Sequence, residues 1–196
     1  MTQLTMAQTL WPTQANPAVY KSADWGRDAV LILAFSLVTA LSAQIAVPLP
    51  FSPVPLTGQT FGVLLTGALL GPRLGACALL LYLAEGSIGL PFFAGGLGGA
   101  ARVFGPTGGY LLAYPFAAAL VGWLSGRGWD RRPLTMLAAM FFGSLVIYAF
   151  GAAMLTRFVG SHNALTLGVW PFLPGDTLKA LLASGLLPLG WKLVRK

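Results

Sequence analysis

Long apolar stretches alternate with short segments rich in polar residues, proline or glycine between residue 28 and residue 193. A helix needs about 20 residues to cross the ~30 Å hydrocarbon core of a bilayer. The pattern therefore predicts an all-α membrane protein with six transmembrane helices, of which the second is short for this role. They cover residues 28–47, 58–71, 74–90, 107–125, 134–156 and 175–193. Strands are a poor alternative, because the chain lacks sustained alternation and its Ala, Leu and Gly content favours packed membrane helices.

The residues before the first apolar stretch have a different character. Residues 1–26 are polar and broken by proline, and they lack the basic start and continuous apolar region of a signal peptide. We expect a tail that either lies on the membrane surface, with Trp11 and Trp25 at the headgroups, or is disordered. Residues 27–196 are predicted to form a single transmembrane substrate-binding domain.

Composition supports lipid as the main solvent. The chain has 196 residues, of which 56% are hydrophobic and 9% are charged, whereas a soluble domain is about 25% charged. This composition excludes a soluble globule and a disordered chain. The single cysteine, Cys77, cannot form an intrachain disulfide, which excludes a disulfide-stapled secreted module.

The distribution of basic residues predicts an orientation, because Lys and Arg favour cytoplasmic loops. With the N-terminus inside, nine basic residues face the cytoplasm and only Arg102 and Arg157 face outward, while Lys179 lies within the last span. The nine are Lys21, Arg27, Arg73, Arg127, Arg131, Arg132, Lys192, Arg195 and Lys196. Both termini are therefore predicted to be cytoplasmic. The net charge of +7 is scattered rather than clustered on one face, so no nucleic-acid partner is expected.

The three outward segments are unusual for loops. Residues 48–57 contain four prolines, residues 91–110 are rich in glycine, and residues 170–175 contain two prolines. Non-helical backbone at membrane depth is tolerated only where it is buried in protein or lines a cavity. The loops thus predict a pocket near the outer face, with the proline segment folded back as a lid, although connectors that merely turn the chain remain an alternative.

The few charges on this side are candidate ligand contacts. Asp176 and Lys179 lie three residues apart, on one face of a helix, and an ionisable residue within a span usually faces a cavity or a partner. Arg102 adds a planar donor suited to a carboxylate. Together they fit a small ligand with N–H groups, a carbonyl and a carboxylate. Alternatively, both residues have only structural roles: Asp176 stabilises the first turn of the helix, and Lys179 neutralises the charge of Asp176.

Other residues have more open roles. Gln59 and Thr107 are candidate polar pocket groups, and Tyr110 and Tyr82 can support an apolar ring or simply pack. Glu85 lies near the outward end of the third span, where it can serve as a proton carrier, a pocket wall or a rim residue.

Motifs for catalysis, metals and cofactors lack support. Residues 96–101 match the dinucleotide pattern GxGxxA, but no strand is predicted before them and no amphipathic helix after them. The sequence contains no Walker A motif, and the sole histidine, His162, has no partner ligands for zinc. We therefore expect neither an enzyme nor a cofactor.

Five ordered motifs carry a resemblance to a known family. They are PVPLTGQT (53–60), GALLGPRLG (67–75), GLPFFAGG (89–96), GPTGGY (105–110) and FLPGDTLK (172–179). In this order and spacing they resemble the BioY family, the biotin-specific substrate-binding (S) components of energy-coupling factor (ECF) transporters. The resemblance covers about residues 28–193.

The resemblance implies a fold, a ligand and partners. It implies the six-helix S-component fold in the bacterial inner membrane, with biotin captured near the outer face for uptake. The family's polar contacts correspond here to Asp176 and Lys179, with Arg102 as the third, and Gln59, Thr107 and Tyr110 complete the predicted site. The implied partners are a transmembrane coupling protein and two ATPase subunits.

Docking of S components to their partners is associated with an Ala-x-x-x-Ala pattern in the first helix. This sequence lacks that pattern but places small residues four apart at Ser36 and Ala40, at Thr39 and Ala43, and at Ser42 and Ala46. Such spacing permits close helix approach, either to a partner or within the bundle.

Two other functions stay open from the sequence. One is a self-sufficient, proton-coupled transporter of biotin or another vitamin, with Glu85 or Asp176 as the proton carrier. The other is a structural or assembly protein of the membrane, without a tightly bound small molecule.

Overall fold

A computed structural model describes residues 4–11 and 25–194, and these residues are mostly helical. The helices are α1 (Met6–Leu10), α2 (Trp25–Gln44), α3 (Gln59–Leu70), α4 (Pro72–Ser87), α5 (Ala100–Val103), α6 (Gly108–Ser125), α7 (Pro133–Val159), α8 (Ser161–Gly168) and α9 (Leu173–Val194). A short antiparallel hairpin follows α2, in which β1 (Ala46–Val47) pairs with β2 (Leu56–Thr57). The proline segment 48–55 is the loop of this hairpin.

Each predicted apolar stretch corresponds to one helix, whose first and last residues differ from the predicted ones by a few positions. Four segments are long and apolar enough to cross a membrane: Trp25–Gln44, Gly108–Ser125, Pro133–Val159 and the continuous run Ser161–Val194. Helix α3 has 12 residues and α4 has 16, which correspond to about 18 and 24 Å at 1.5 Å per residue. Both are shorter than the ~30 Å hydrocarbon core. The fold is that of a multi-pass helical membrane protein.

Proline and glycine set the helix ends. Gly71 separates α3 from α4 with a φ of 85°, a left-handed conformation that glycine adopts without strain. Pro72 then occupies the first turn of α4 and Pro133 that of α7, where a missing N–H costs nothing. The sequence therefore turns sharply between α3 and α4, which become antiparallel neighbours.

Helix α6 lies at the centre of the bundle and contacts α3, α4 and α7. Glycines permit the closest of these approaches. A Cβ atom at Gly67 of α3 would lie 2.8 Å from the Cα atom of Ala118 and closer still to its carbonyl oxygen. Small residues bring membrane helices into this kind of backbone contact, so dispersion forces between closely packed atoms hold the bundle together.

The small-residue stripe of α2 packs within the chain. Ser36, Thr39, Ala40 and Ala43 are buried among the described residues, and Gly62 of α3 faces Thr39 across the interface. Of the two roles left open by the sequence, intrabundle packing is the one observed. The opposite face of α2, with Leu33, Leu37 and Leu41, is exposed.

The bundle has two chemically distinct ends. One carries the hairpin, α5 and the N-termini of α6 and α9. At the other end, the α3–α4 turn, the α6–α7 connection and the C-terminal part of α9 meet, as the hydrogen bond from Trp191 to Asp130 shows. Six of the nine basic residues assigned to the cytoplasmic side lie at this second end: Arg27, Arg73, Arg127, Arg131, Arg132 and Lys192. Lys21, Arg195 and Lys196 lie outside the described residues.

Part of the N-terminal tail forms the short helix α1 beside the bundle, while the predicted place of Trp11 and Trp25 at the headgroups stays a prediction. Thr5 caps α1 in a reciprocal capping box with Gln8, and Met6 is buried against the bundle near Gly190. Residues 4–11 therefore pack on protein, because capping satisfies the exposed amides and Met6 supplies an apolar contact. Trp25 already belongs to α2, which begins before the predicted boundary at residue 27. Residues 12–24 lie outside the described residues.

Candidate functional site

A cavity opens at the hairpin end of the bundle, with about 750 Å³ of empty space when its solvent-filled mouth is included. Small-molecule sites are typically concave and mostly apolar, with a few polar groups that fix the ligand's orientation. The structure brings together all six residues selected from the sequence in the lining of this cavity: Gln59, Arg102, Thr107, Tyr110, Asp176 and Lys179. They come from α3, α5, α6 and α9 and from the residue before α6, so the cavity exists only in the folded chain.

A charged pair forms one wall of the cavity. Asp176 and Lys179 occupy the first turns of α9, one helical turn apart, and the Lys179 Nζ atom lies 2.7 Å from Asp176 Oδ1. The Asp176 side chain is 8% exposed and the Lys179 side chain 18%. Burying a charge is costly unless the charge is paired. The ion pair therefore offsets part of the cost of burying each of the two charged side chains.

Residues of α3 and α7 complete this wall. Thr60 donates a hydrogen bond to Asp176 Oδ1 at 2.9 Å, and Tyr148 donates one to Asp176 Oδ2. Lys179 donates to the Thr57 carbonyl at 2.6 Å and to Thr60 Oγ1 at 2.8 Å. The wall is therefore a network of charge-assisted hydrogen bonds, which are the stronger kind.

Gln59 belongs to a second network, deeper in the cavity. Its Nε2 atom donates to Tyr82, whose hydroxyl donates in turn to the Phe92 carbonyl at 3.1 Å. Its Oε1 atom accepts from Tyr114 at 3.3 Å and from Thr57 at 3.2 Å. Since both acceptor positions of Oε1 are used, only one amide N–H of Gln59 stays available to a ligand. Tyr82 supports Gln59 from behind, outside the cavity lining.

Arg102 lies on a different element from the charged pair, in the short helix α5, and is exposed. No hydrogen-bond or ion-pair partner for its guanidinium is found within residues 4–11 and 25–194. Thr107 directly precedes α6 and makes no side-chain capping hydrogen bond to it, and Tyr110 is anchored by donating to the Gly168 carbonyl at 2.7 Å. The cavity thus has a neutral, internally paired polar wall and a separate, available cation.

The rest of the lining is apolar and comes largely from the loops. The hairpin loop contributes Pro53 and Val54, and the glycine-rich loop contributes Phe93 and Leu97. Ser52 donates to the Leu167 carbonyl at 2.8 Å, which ties the hairpin loop to α8. The proline segment therefore forms part of the cavity wall, and its role as a lid stays a prediction.

Two further candidates lie outside the cavity lining. One carboxylate oxygen of Glu85 is buried without a hydrogen-bond partner among the described residues. His162 is exposed on α8, which replaces part of the expected loop with a helical turn. In the part of the chain that the structure describes, no group of three or more His, Cys, Asp or Glu side chains could hold a metal.

Thr60 and Tyr148 were missed by the sequence reasoning. Thr60 lies within the PVPLTGQT motif, next to Gln59, and Tyr148 is the one tyrosine in the apolar run of the fifth stretch. A tyrosine at this depth was a weak signal, because a buried tyrosine hydroxyl usually has a polar partner. Local spacing could not indicate that the partner was Asp176, which is 28 residues away.

The fold and the cavity define a class of protein: a multi-pass helical membrane protein with a small-molecule site at one end of its bundle. The model of the BioY family matches residues 13–196. The chain therefore belongs to the BioY family.

Similar proteins cover most of the chain. A probable biotin transporter BioY of Pyrococcus horikoshii is 45% identical over 157 residues, which are 80% of this chain and 91% of that protein. A biotin transporter BioY of Rhizobium etli is 39% identical over 167 residues, which are 81% of this chain and 89% of that protein. Both are named as transporters.

A solved structure shares the fold. The crystal structure of the S-component for biotin from an ECF-type ABC transporter matches with a TM-score of 0.74 and 28% sequence identity. The match covers 85% of this chain and 92% of that chain. The similarity thus extends over the whole bundle rather than over a single motif.

Proposed function

We propose that this chain captures biotin with high affinity at the outer face of the membrane and serves as the S component of an ECF-type ABC transporter for biotin uptake. One observation carries the proposal: an apolar cavity that pairs Asp176 with Lys179 on one wall and holds Arg102 on another, in a chain of the BioY family. Binding and release, rather than covalent chemistry, are its task.

Biotin has a polar group at each end, and both groups match polar side chains of the cavity. Its ureido group offers N–H donors, which suit the Asp176 carboxylate, and a carbonyl acceptor, which suits the Lys179 ammonium once one hydrogen bond of Lys179 to the protein is exchanged for one to the ligand. Its carboxylate suits the guanidinium of Arg102. The fused rings and the aliphatic chain between these two groups suit the apolar lining. Additional polar and aromatic contacts to biotin would come from Gln59, Thr107 and Tyr110.

We further propose six membrane crossings with both termini in the cytoplasm. Helices α2, α3, α4, α6, α7 and α9 then cross in turn, and the two shorter helices are extended at the cavity end by the hairpin and the glycine-rich loop. This arrangement directs the basic residues of the second end to the cytoplasm, as the positive-inside rule requires. The cavity then opens outward in the bacterial inner membrane.

Transport would depend on partners. The structural similarity to an S component from an ECF-type ABC transporter supports assembly with a transmembrane coupling protein and two ATPase subunits. The sequence contains no Walker A motif of its own. The energy for release to the cytoplasm would therefore come from ATP bound elsewhere in the complex.

The proton-coupled alternative has weaker support. Asp176 is ion-paired with Lys179 and accepts hydrogen bonds from Thr60 and Tyr148, so most of its acceptor positions are occupied by the protein itself. Glu85 has an unpartnered buried oxygen but does not line the cavity. Neither carboxylate therefore has the features of a proton carrier coupled to the ligand.

Reconstitution distinguishes these functions. Proteoliposomes that contain only this chain are expected to bind labelled biotin without accumulating it, whether or not a pH gradient is applied. Adding the coupling protein, the ATPase subunits and internal ATP is expected to restore accumulation. Uptake by the chain alone that follows the pH gradient would contradict the proposal, as would a panel of vitamins in which biotin does not raise the unfolding temperature.

A further inference from the structure

The hydrogen bonds around Asp176 are nearly complete before any ligand binds. Its Oδ1 atom accepts from Thr60 at 2.9 Å and from Lys179 at 2.7 Å, and its Oδ2 atom accepts from Tyr148. A carboxylate has about four acceptor positions. Three are therefore used by the protein, and the fourth, on Oδ2, is left over.

Thr60 fixes the direction of this network. Its Oγ1 atom accepts from Lys179 at 2.8 Å while it donates to Asp176. The ammonium group of Lys179 has three hydrogens, which are directed at Thr60, at Asp176 and at the Thr57 carbonyl. Since every hydrogen in this triangle is assigned, neither charged group can rotate without losing a hydrogen bond.

We propose that Thr60 and Tyr148 are positioning residues that hold Asp176 so that a single acceptor position on Oδ2 faces the ligand, which makes the site selective for a ligand that presents an N–H group there. This inference rests on the proposed function. It adds two residues, from α3 and α7, that act through Asp176 rather than by carrying charge themselves.

The selectivity follows from the cost of an unpaired acceptor. Leaving a buried polar group without its partner is unfavourable, and more so when the group is charged. A site built to pair with a donor therefore rejects an analogue that lacks the donor far more strongly than an apolar pocket rejects a missing methylene. If Asp176 could rotate, it would find another partner and this discrimination would weaken.

The test compares biotin with its two cyclic carbamate analogues, in each of which one ring N–H is replaced by oxygen. Dissociation constants for all three are measured on the purified full chain in nanodiscs. The unchanged protein is expected to bind at least one carbamate about 100-fold more weakly than biotin. In Tyr148→Phe and in Thr60→Val, biotin affinity is expected to fall about tenfold, and the discrimination against that carbamate to fall with it.

Two substitutions separate positioning from folding. Thr60→Ser keeps the hydroxyl and is expected to retain affinity and discrimination. Thr66→Val is the control on the same helix, because Thr66 donates only to the Gly62 carbonyl and does not line the cavity, and it is expected to change neither. Unfolding temperatures without ligand identify any variant that fails to fold.

Two outcomes would overturn the inference. The first is that Tyr148→Phe and Thr60→Val leave the ratio of the dissociation constants of the carbamates and biotin unchanged, whether or not biotin affinity falls. The second is that Thr60→Ser binds biotin as weakly as Thr60→Val. In both of these the unchanged chain still binds biotin, so the proposed function survives. If the unchanged chain does not bind biotin at all, the proposed function and this inference both fail.

Discussion

Lys179 lies one turn after Asp176 on α9, and its Nζ atom contacts the Asp176 Oδ1 atom at 2.7 Å inside the cavity. Removing one member of a buried pair costs about 3–5 kcal/mol, because it leaves the other charge uncompensated. We expect Asp176→Asn and Lys179→Ala each to lower biotin affinity at least 100-fold in equilibrium binding.

A double substitution provides the control for this pair. Asp176→Asn combined with Lys179→Met removes both charges, so its unfolding temperature is expected to exceed that of either single variant while biotin binding stays lost. Wild-type affinity in the double variant would show that the pair has only a structural role.

The guanidinium of Arg102 has no partner in the part of the chain that the structure describes, so biotin affinity is expected to depend on the ligand's carboxylate. Arg102→Met is expected to weaken biotin binding about 10- to 100-fold, in line with the 1.5–3 kcal/mol of a hydrogen bond to a charged group. Biotin amide, which lacks the carboxylate, is expected to bind equally to both proteins. Isothermal titration with the two ligands measures this difference.

Arg157→Met is the matched control, since Arg157 is exposed at the same end of the bundle but does not line the cavity. It is expected to leave both affinities unchanged. If Arg102→Met weakens biotin and its amide alike, Arg102 does not bind the carboxylate.

Asp130, in the connection between α6 and α7, predicts a pH-dependent stability. Its side chain is 1% exposed, and burial raises the pKa of the carboxyl, although hydrogen bonds and Arg131 act in the opposite direction. A folded pKa above the unfolded value of about 3.9 means that stability is lost as pH rises through the folded pKa.

The stabilising effect of Asp130→Asn is therefore expected to increase from pH 4 to pH 7, since the amide keeps an acceptor for Trp191 and removes the buried charge. Thermal unfolding of both proteins across this range measures the difference between them. A difference that is constant, or that decreases with rising pH, would contradict this origin.

Alanine substitution is expected to have opposite effects on stability at two glycines within helices, Gly67 and Gly185. Gly67→Ala places a methyl group against the Ala118 backbone, and overpacking of this kind typically costs about 1–3 kcal/mol. Gly185→Ala, on α9, meets no atom within 4 Å and is expected to be neutral or stabilising by about 0.5–1 kcal/mol. Unfolding temperatures rank the two variants, and similar values would argue against close packing of α3 on α6.

Long apolar stretches were sufficient to locate the long helices that follow residue 24, and scarce charge was sufficient to select three of the six cavity residues. The reason is physical: in lipid each unneutralised charge is costly, so the few that persist have specific partners or ligands. Arg102, Asp176 and Lys179 could be selected on this ground alone.

Features that depend on tertiary contacts could not be predicted from the sequence in the same way. Helix α1 packs on the bundle through Met6, and the small residues of α2 are covered by α3, yet neither segment has a pattern that distinguishes the partner. Thr60 and Tyr148 have ordinary sequence surroundings, and their importance arises only because α3, α7 and α9 meet at Asp176.

Equilibrium binding of labelled biotin to the purified chain alone, in nanodiscs and without coupling protein or ATPase subunits, tests the central claim most directly. The predicted result is saturable binding at one site per chain that unlabelled biotin displaces, thiamine does not, and Asp176→Asn abolishes. A folded chain that shows no saturable binding, or that binds equally well after Asp176→Asn, would contradict the account.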